Sequence, residues 1–207
     1  RSYELSSLIT IIAAFALALF YAGQWQLAVL NGVGVLLAVV FNPLTSYFTS
    51  HKNRPVQEIV GSTKTGSATT ILSGLAVGME SAVASVLVIC LALTSSLLVY
   101  WGREPIYMLY GVAMIGIGML SLTGNNVAMD SFGPIADNAN GIGEMSGVGK
   151  YARKIMADLD AVGNTTKAIT KQIAIASAVI AATALFFSYV TDIGIVQARL
   201  NLPVLNN

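Results

Sequence analysis

Residues 68–100 decide the fold class; they read ATTILSGLAVGMESAVASVLVICLALTSSLLVY and contain a single charged residue, Glu80. An apolar run of this length is typical of a helix that crosses a lipid bilayer, whose hydrocarbon core is about 30 Å thick. At a rise of about 1.5 Å per residue, the run exceeds a perpendicular crossing, so we expect the helix to tilt or protrude. Glu80 lies inside the run, where an acid either serves an ion path or hydrogen-bonds to a neighbouring helix.

Four more apolar stretches surround this one, and the chain as a whole is 55% hydrophobic and 10% charged. A soluble domain has about 25% charged residues. The sequence therefore predicts an all-α, polytopic transmembrane helix bundle, one membrane-embedded segment of a longer protein. The predicted spans are residues 5–22, 27–48, 68–100, 106–137 and 164–190, and the longer connections are 49–67 and 138–163. Glycines recur in the spans and predict close helix packing at Gly34, Gly74, Gly78, Gly111 and Gly118.

Charge and cysteine content exclude several function classes. No basic patch with interleaved aromatic residues occurs, so we expect no nucleic-acid partner. The lone Cys90 excludes an internal disulfide and a cysteine-based metal site.

Basic residues favour the cytoplasmic side of membrane proteins. Eight lie in or beside connections 49–67 and 138–163 and two on the other side, so we predict that both connections face the cytoplasm.

Polar residues are concentrated between positions 130 and 166, which contain five of the ten acidic residues. Asp130, Asp137 and Glu144 are seven apart, which on a continuous helix places them in one stripe with steps of about 10 Å. Pro134 removes a backbone donor and predicts a local bend. We expect Asp130 and Asp137 to belong to a site, although solvated acids at headgroup level are the alternative, and we expect Glu144 to lie beyond the helix end.

Asp137 and Asn164 are oxygen donors without a nearby histidine or cysteine, a combination that suits Mg²⁺. Asn164 is predicted to open the last span, where free amides at a helix N-terminus also favour phosphate; the simpler interpretation is a helix cap. Lys167 follows three residues later and should share its face. The residues alone leave open a secondary ion transporter without hydrolysis, and a non-catalytic helical module.

Three motifs carry a resemblance to the membrane-integral pyrophosphatases. Residues 130–145, DSFGPIADNANGIGEM, resemble the family signature D-A-[YF]-G-P-I-x-D-N-A-G-G-I-x-E-M. Residues 65–78, TGSATTILSGLAVG, are similar to T-G-x-A-T-N-I-I-x-G-L-A-V-G, and residues 159–166, LDAVGNTT, to L-D-A-x-G-N-T-T. The order of the motifs also agrees. This chain departs from the family where Asn140 replaces a glycine, Thr70 an asparagine, and Met156-Ala157 a Thr-Asp pair.

The resemblance implies a homodimeric subunit of about sixteen spans, each of about 20 apolar residues. Such a protein would hydrolyse Mg-diphosphate on the cytoplasmic side and pump H⁺, with Na⁺ as the alternative ion, across the lipid bilayer of a prokaryotic cytoplasmic or vacuolar-type membrane. By motif position, Asp137 and Asn164 correspond to Mg²⁺ ligands, with Asp130 beside Asp137 in the catalytic site. Lys167 and Thr170 match the K⁺-independent branch, in which the lysine occupies the place of a bound potassium ion.

Overall fold

The computed structural model describes residues 2–200, and in that part of the chain helices are joined by short turns without any strand. The α-helices there are α1 (Ser2–Ala16), α2 (Trp25–Thr49), α3 (Arg54–Ser62), α4 (Ser67–Val99), α5 (Pro105–Leu120), α6 (Thr123–Met145) and α7 (Lys150–Arg199). A π-helical turn, Leu17–Tyr21, extends α1, and a 3-10 turn, Thr63–Thr65, follows α3. The all-α prediction is confirmed.

Most of these helices are long and apolar enough to cross a membrane. α1 with its π turn, α2, α4 and α7 meet that condition singly, and α5 meets it together with α6, from which it is bent by 47°. By length and composition, the described chain thus supplies four candidate spans, or five if the bent pair counts as one. Large side chains such as Phe20, Leu91 and Leu185 are exposed on the outer faces, as expected of surfaces that meet lipid or further helices. The polytopic membrane class is confirmed.

α2 lies at the centre of the bundle and packs against α1, α4, α5 and α7. Its contact with α5 is the closest, since a Cβ on Gly34 would collide with the backbone oxygen of Ile115, and one on Gly118 with that of Asn31. Small residues permit this approach of two backbones, as predicted. Around it lies a buried apolar cluster that includes Leu30, Val35, Phe41, Met119, Ile173 and Ile180.

Gly74 and Gly78 do not serve a comparable contact within the described chain. Both lie on α4, and a Cβ placed on either would have no heavy atom within 4 Å. The prediction of close packing is therefore not met there among residues 2–200, because no described helix lies against that face of α4.

The junction of α5 and α6 interrupts the predicted fourth span at residues 121–122. The Ser121 hydroxyl donates to the Gly118 oxygen at 2.6 Å, and the Thr123 hydroxyl to the Leu120 oxygen at 2.5 Å. Both hydroxyls thus bind carbonyl groups at the end of α5, and such hydrogen bonds compete with continuation of the helix. The break thus lies before Pro134, where a bend was predicted, and α6 runs through Pro134 as one helix.

The predicted connections are shorter and more helical than expected. Connection 49–67 contains α3, while in connection 138–163 only residues 146–149 join α6 to α7. Glu144 accordingly lies in the last turn of α6 and not beyond it. Asn164 does not open a helix, because α7 begins at Lys150. Polar, glycine-containing sequence indicated loops, but the packing of α6 on α7 stabilises both helices beyond the apolar spans.

Candidate functional site

The candidate site lies where α6 and α7 cross. A Cβ on Gly163 would stand 3.1 Å from the Gly133 Cα, so the two helices meet at paired glycines. A Cβ on Gly133 would stand 2.7 Å from Cε of Lys167. The lysine side chain therefore crosses α6 directly over Gly133, where any larger residue would displace it.

Lys167 reaches from α7 to the carboxylate of Asp137 on α6. Its Nζ lies 3.2 Å from Asp137 Oδ2 and 3.4 Å from Asn164 Oδ1. The lysine side chain is 23% exposed and that of Asp137 is 60% exposed, so the pair stands at the rim of the helix contact. Two oxygen atoms from different helices thus face a single positive charge.

Asp130 pairs with Thr170 one step further along the same interface. The Thr170 hydroxyl donates to Asp130 Oδ1 at 2.7 Å, and Thr170 is 6% exposed. Its other acceptors, the backbone oxygens of Lys167 and Thr166, lie at 3.0 and 3.3 Å. A hydroxyl has one proton, and a carboxylate is the stronger acceptor, so we assign the proton to the Asp130 bond. A cavity of about 250 Å³ adjoins this pair and is also lined by Asn126.

A third group of contacts continues toward the ends of the two helices, and sequence reasoning had not assigned it a role. Asp160 accepts from Asn164 Nδ2 at 3.3 Å and from Asn140 Nδ2 at 3.0 Å. Arg153 donates to both the backbone oxygen and Oδ1 of Asn140 at 2.8 Å, and to Glu144 Oε2 at 3.3 Å. One signal was available, since Asp160 and Asn164 are four apart and share a helix face.

The three acids of the α6 stripe consequently each meet a different donor from α7. Asp130 meets Thr170, Asp137 meets Lys167, and Glu144 meets Arg153. The structure brings together all the residues predicted for the site: Asp130, Asp137, Asn164, Lys167 and Thr170. Glu80 is separate from them, exposed on α4 and without a hydrogen bond or ion pair in the described part of the chain.

The donor set fits a hard divalent cation in part. Asp137 Oδ2 and Asn164 Oδ1 converge on one cationic group, as two oxygen ligands of Mg²⁺ would. Among residues 2–200 no group of three or more His, Cys, Asp or Glu side chains could hold a metal ion. Because Mg²⁺ commonly takes one or two carboxylates besides water and phosphate oxygens, two ligands from this segment are compatible with such a site.

Comparison with known proteins identifies relatives that match most of the chain. A protein from Chloroflexus aurantiacus named "K(+)-insensitive pyrophosphate-energized proton pump" is 59% identical over 173 residues, which cover 81% of this chain and 22% of that protein. A protein of the same name from Methanosarcina mazei is 38% identical over 198 residues, covering 95% of this chain and 30% of its own length. A relative from Clostridium tetani is 40% identical over 186 residues, which cover 89% of this chain and 28% of its own length; its name assigns it provisionally to the K(+)-stimulated pyrophosphate-energized sodium pumps.

The chain spans less than a third of the length of these relatives. The family model described as inorganic H⁺ pyrophosphatase matches residues 1–206. Together with the motifs that meet across α6 and α7, this match shows that the chain belongs to the inorganic H⁺ pyrophosphatase family.

Proposed function

We propose that this chain is the central part of a subunit that hydrolyses diphosphate to two phosphates and couples the reaction to H⁺ transport. The observation that carries the proposal is the convergence of Asp137 and Asn164 on the Lys167 ammonium. It joins the motif at residues 130–145 to the motif at residues 159–166, which Lys167 directly follows. Pyrophosphatases use a divalent metal in general; we propose that it is Mg²⁺ here, with diphosphate bound as its Mg complex.

Asp137 and Asn164 would hold one Mg²⁺ ion, with further ligands from water, substrate and other spans. When bound, such an ion neutralises phosphate charge and activates water as a nucleophile. Asp137 supplies the negative charge and Asn164 a neutral carbonyl oxygen. The Thr170 hydroxyl donates to Asp130 at 2.7 Å and restrains that carboxylate, which its motif position assigns to the same site. These residues thus bind and orient, and the attack on phosphorus would need no covalent enzyme intermediate.

Lys167 supports K⁺-independent activity. Its ammonium is a compact cation on a flexible stem, and here the crossing over Gly133 restrains that stem. One fixed positive charge therefore stands beside Asp137 without a bound potassium ion. The names of the relatives from C. aurantiacus and M. mazei agree with this assignment. They also favour H⁺ over Na⁺ as the transported ion.

We further propose that α6 and α7 extend from the membrane on the cytoplasmic side, by the distribution of basic residues. The complete subunit would have about sixteen spans of about 20 residues and would act as a homodimer in a prokaryotic cytoplasmic or vacuolar-type membrane. The rival function, a secondary transporter without hydrolysis, is not supported by the name of any relative given above.

The deciding experiment is phosphate release from diphosphate by the full-length protein in membrane vesicles. We expect hydrolysis that requires Mg²⁺, proceeds in K⁺-free buffer and acidifies the vesicle lumen, as followed with a pH-sensitive dye. Transport without hydrolysis would support the secondary transporter. Hydrolysis only in the presence of K⁺ would overturn the assignment of Lys167.

A further inference from the structure

The orientation of the Asn164 amide decides whether this residue can bind a cation. The two ends of an asparagine amide are nearly equal in size, but one is a carbonyl acceptor and the other an NH₂ donor. Only the carbonyl oxygen can face a metal ion or an ammonium group. A rotation by half a turn would present the NH₂ group to the cation. A device that fixes this orientation is therefore useful to a site that relies on Asn164.

Asp160 provides an acceptor on the opposite side of the amide from Lys167. Its Oδ1 lies 3.3 Å from Asn164 Nδ2, while Lys167 Nζ lies 3.4 Å from Asn164 Oδ1. An ionised carboxylate only accepts and an ammonium only donates. Asp160 and Lys167 therefore select the same orientation of the Asn164 amide, and Asp160 does so without standing in the cation site.

Asp160 is in turn held by Asn140, whose amide orientation is fixed by Arg153. The guanidinium of Arg153 only donates, and its NH1 lies 2.8 Å from Asn140 Oδ1. The Asn140 amide must then direct its NH₂ group away from Arg153, toward Asp160 Oδ2 at 3.0 Å. Arg153 also donates to the Asn140 backbone oxygen at 2.8 Å, which fixes the guanidinium on α6. The donor and the acceptor are thus fixed at every hydrogen bond from Arg153 to Asn164.

We propose that Asp160 is a positioning residue that holds the Asn164 carbonyl toward the metal site, and that Asn140, oriented by Arg153, holds Asp160. The inference rests on the proposed function, because it needs Asn164 to be a metal ligand. It gives a role to Asn140, the position at which this chain departs from the glycine of the family signature. Such outer contacts commonly change metal affinity by about 10–100-fold.

The substitution Asp160→Asn does more than remove a hydrogen bond, because it replaces the acceptor that faces Asn164 with a donor. Asn140 would still donate to position 160, so the new amide would turn its oxygen to Asn140 and its NH₂ group to Asn164. The Asn164 oxygen would then be attracted to position 160 and its NH₂ group turned toward the cation, and only Lys167 would still favour the wild-type orientation. The test is the melting temperature of the full-length protein at increasing MgCl₂ concentrations, without diphosphate. We expect the half-saturating Mg²⁺ concentration to rise about tenfold.

The double substitution Asn140→Asp with Asp160→Asn should restore the wild-type value. Arg153 would pair with the new carboxylate, whose second oxygen would accept from the new amide at position 160, leaving that amide's oxygen to face Asn164. The matched control is Asp158→Asn, on the same helix. Asp158 is exposed and, in the described chain, has no hydrogen bond or ion pair. Its half-saturating Mg²⁺ concentration should equal that of the wild type.

The outcomes separate this inference from the proposed function. An Asp160→Asn protein that responds to MgCl₂ as Asp158→Asn does, or a double variant no better than Asp160→Asn, would overturn the inference while wild-type hydrolysis keeps the proposed function. A wild type without Mg²⁺ stabilisation and without hydrolysis would overturn both. If Asp160→Asn lacks a melting transition in metal-free buffer, Asn140→Ala serves instead and should raise the Mg²⁺ requirement by a smaller factor; an unchanged requirement would contradict the inference.

Discussion

Two of the helix contacts that depend on glycine differ in what lies beside the glycine. Between α2 and α5, Gly34 and Gly118 bring backbone against backbone, and buried apolar side chains surround the contact. Between α6 and α7, Gly133 and Gly163 meet in the same way, but the Lys167 side chain crosses the contact to reach Asp137. The first contact is surrounded by apolar side chains, whereas the second brings charged side chains of both signs onto one interface.

A substitution at the apolar contact between α2 and α5 should have the largest effect, which is loss of folding. The substitution Gly118→Val places a branched side chain against the backbone of Asn31, which cannot move without shifting α2. Overpacking usually costs about 1–3 kcal/mol, and a clash with backbone should reach at least the upper end. We expect loss of the folded protein, measured as absence of a melting transition after purification in detergent.

The control is Gly61→Ala on α3, where an added Cβ would have no heavy atom within 4 Å. Alanine in place of a helical glycine should leave stability unchanged or raise it by up to about 1 kcal/mol. Equal melting temperatures for Gly118→Val and the wild type would contradict the close contact of α2 with α5.

A substitution at the polar contact between α6 and α7 should instead abolish the activity of the protein while leaving it folded. In Asp137→Ala, a 60% exposed carboxylate is removed, and an exposed ion pair contributes only about 0–1 kcal/mol. Since loss of an outer contact to a metal ligand costs about 10–100-fold, loss of the ligand itself should lower diphosphate hydrolysis more than 100-fold. Steady-state phosphate release and the melting temperature measure the two effects. Normal turnover at ordinary Mg²⁺ would remove Asp137 from the site.

The same contrast explains what the sequence could predict. The spans follow from apolar length, because a bilayer requires it. The extent of α6 and α7 did not follow, since residues such as Gly141 and Gly143, which lie inside α6, are typical of loops. Motif positions predicted that Asp130, Asp137 and Asn164 belong to one site, and all three lie on the packed helices α6 and α7. The bond from Asn140 to Asp160 joins residues 20 apart on two helices, so it exists only once those helices pack.

A smaller effect is expected at Lys167. The variant Lys167→Ala removes the fixed positive charge, and we expect hydrolysis in K⁺-free buffer to fall about tenfold, equivalent to about 1.4 kcal/mol. Added K⁺ should restore it, with choline chloride as the ionic-strength control. The matched variant is Lys154→Ala, an exposed lysine on α7 without a hydrogen bond or ion pair in the described chain. It should show wild-type activity. Strong K⁺ stimulation of the wild type would refute this role of Lys167.

The smallest effect should arise at Thr170, where the apolar and polar contacts adjoin. Thr170→Val keeps the shape of this buried residue but removes the donor to Asp130 Oδ1. Asp130 is exposed, so water can replace the lost hydrogen bond, whose net contribution is then about 0.5–1.5 kcal/mol.

We therefore expect kcat for diphosphate at saturating Mg²⁺, measured in K⁺-free buffer, to fall about two- to tenfold. Thr170→Ser retains the hydroxyl and loses only a methyl group, so it should stay close to the wild type. If Thr170→Ser is impaired as strongly as Thr170→Val, the methyl group is what matters. Thr170 would then belong with the apolar packing of α7 and not with the carboxylates of α6.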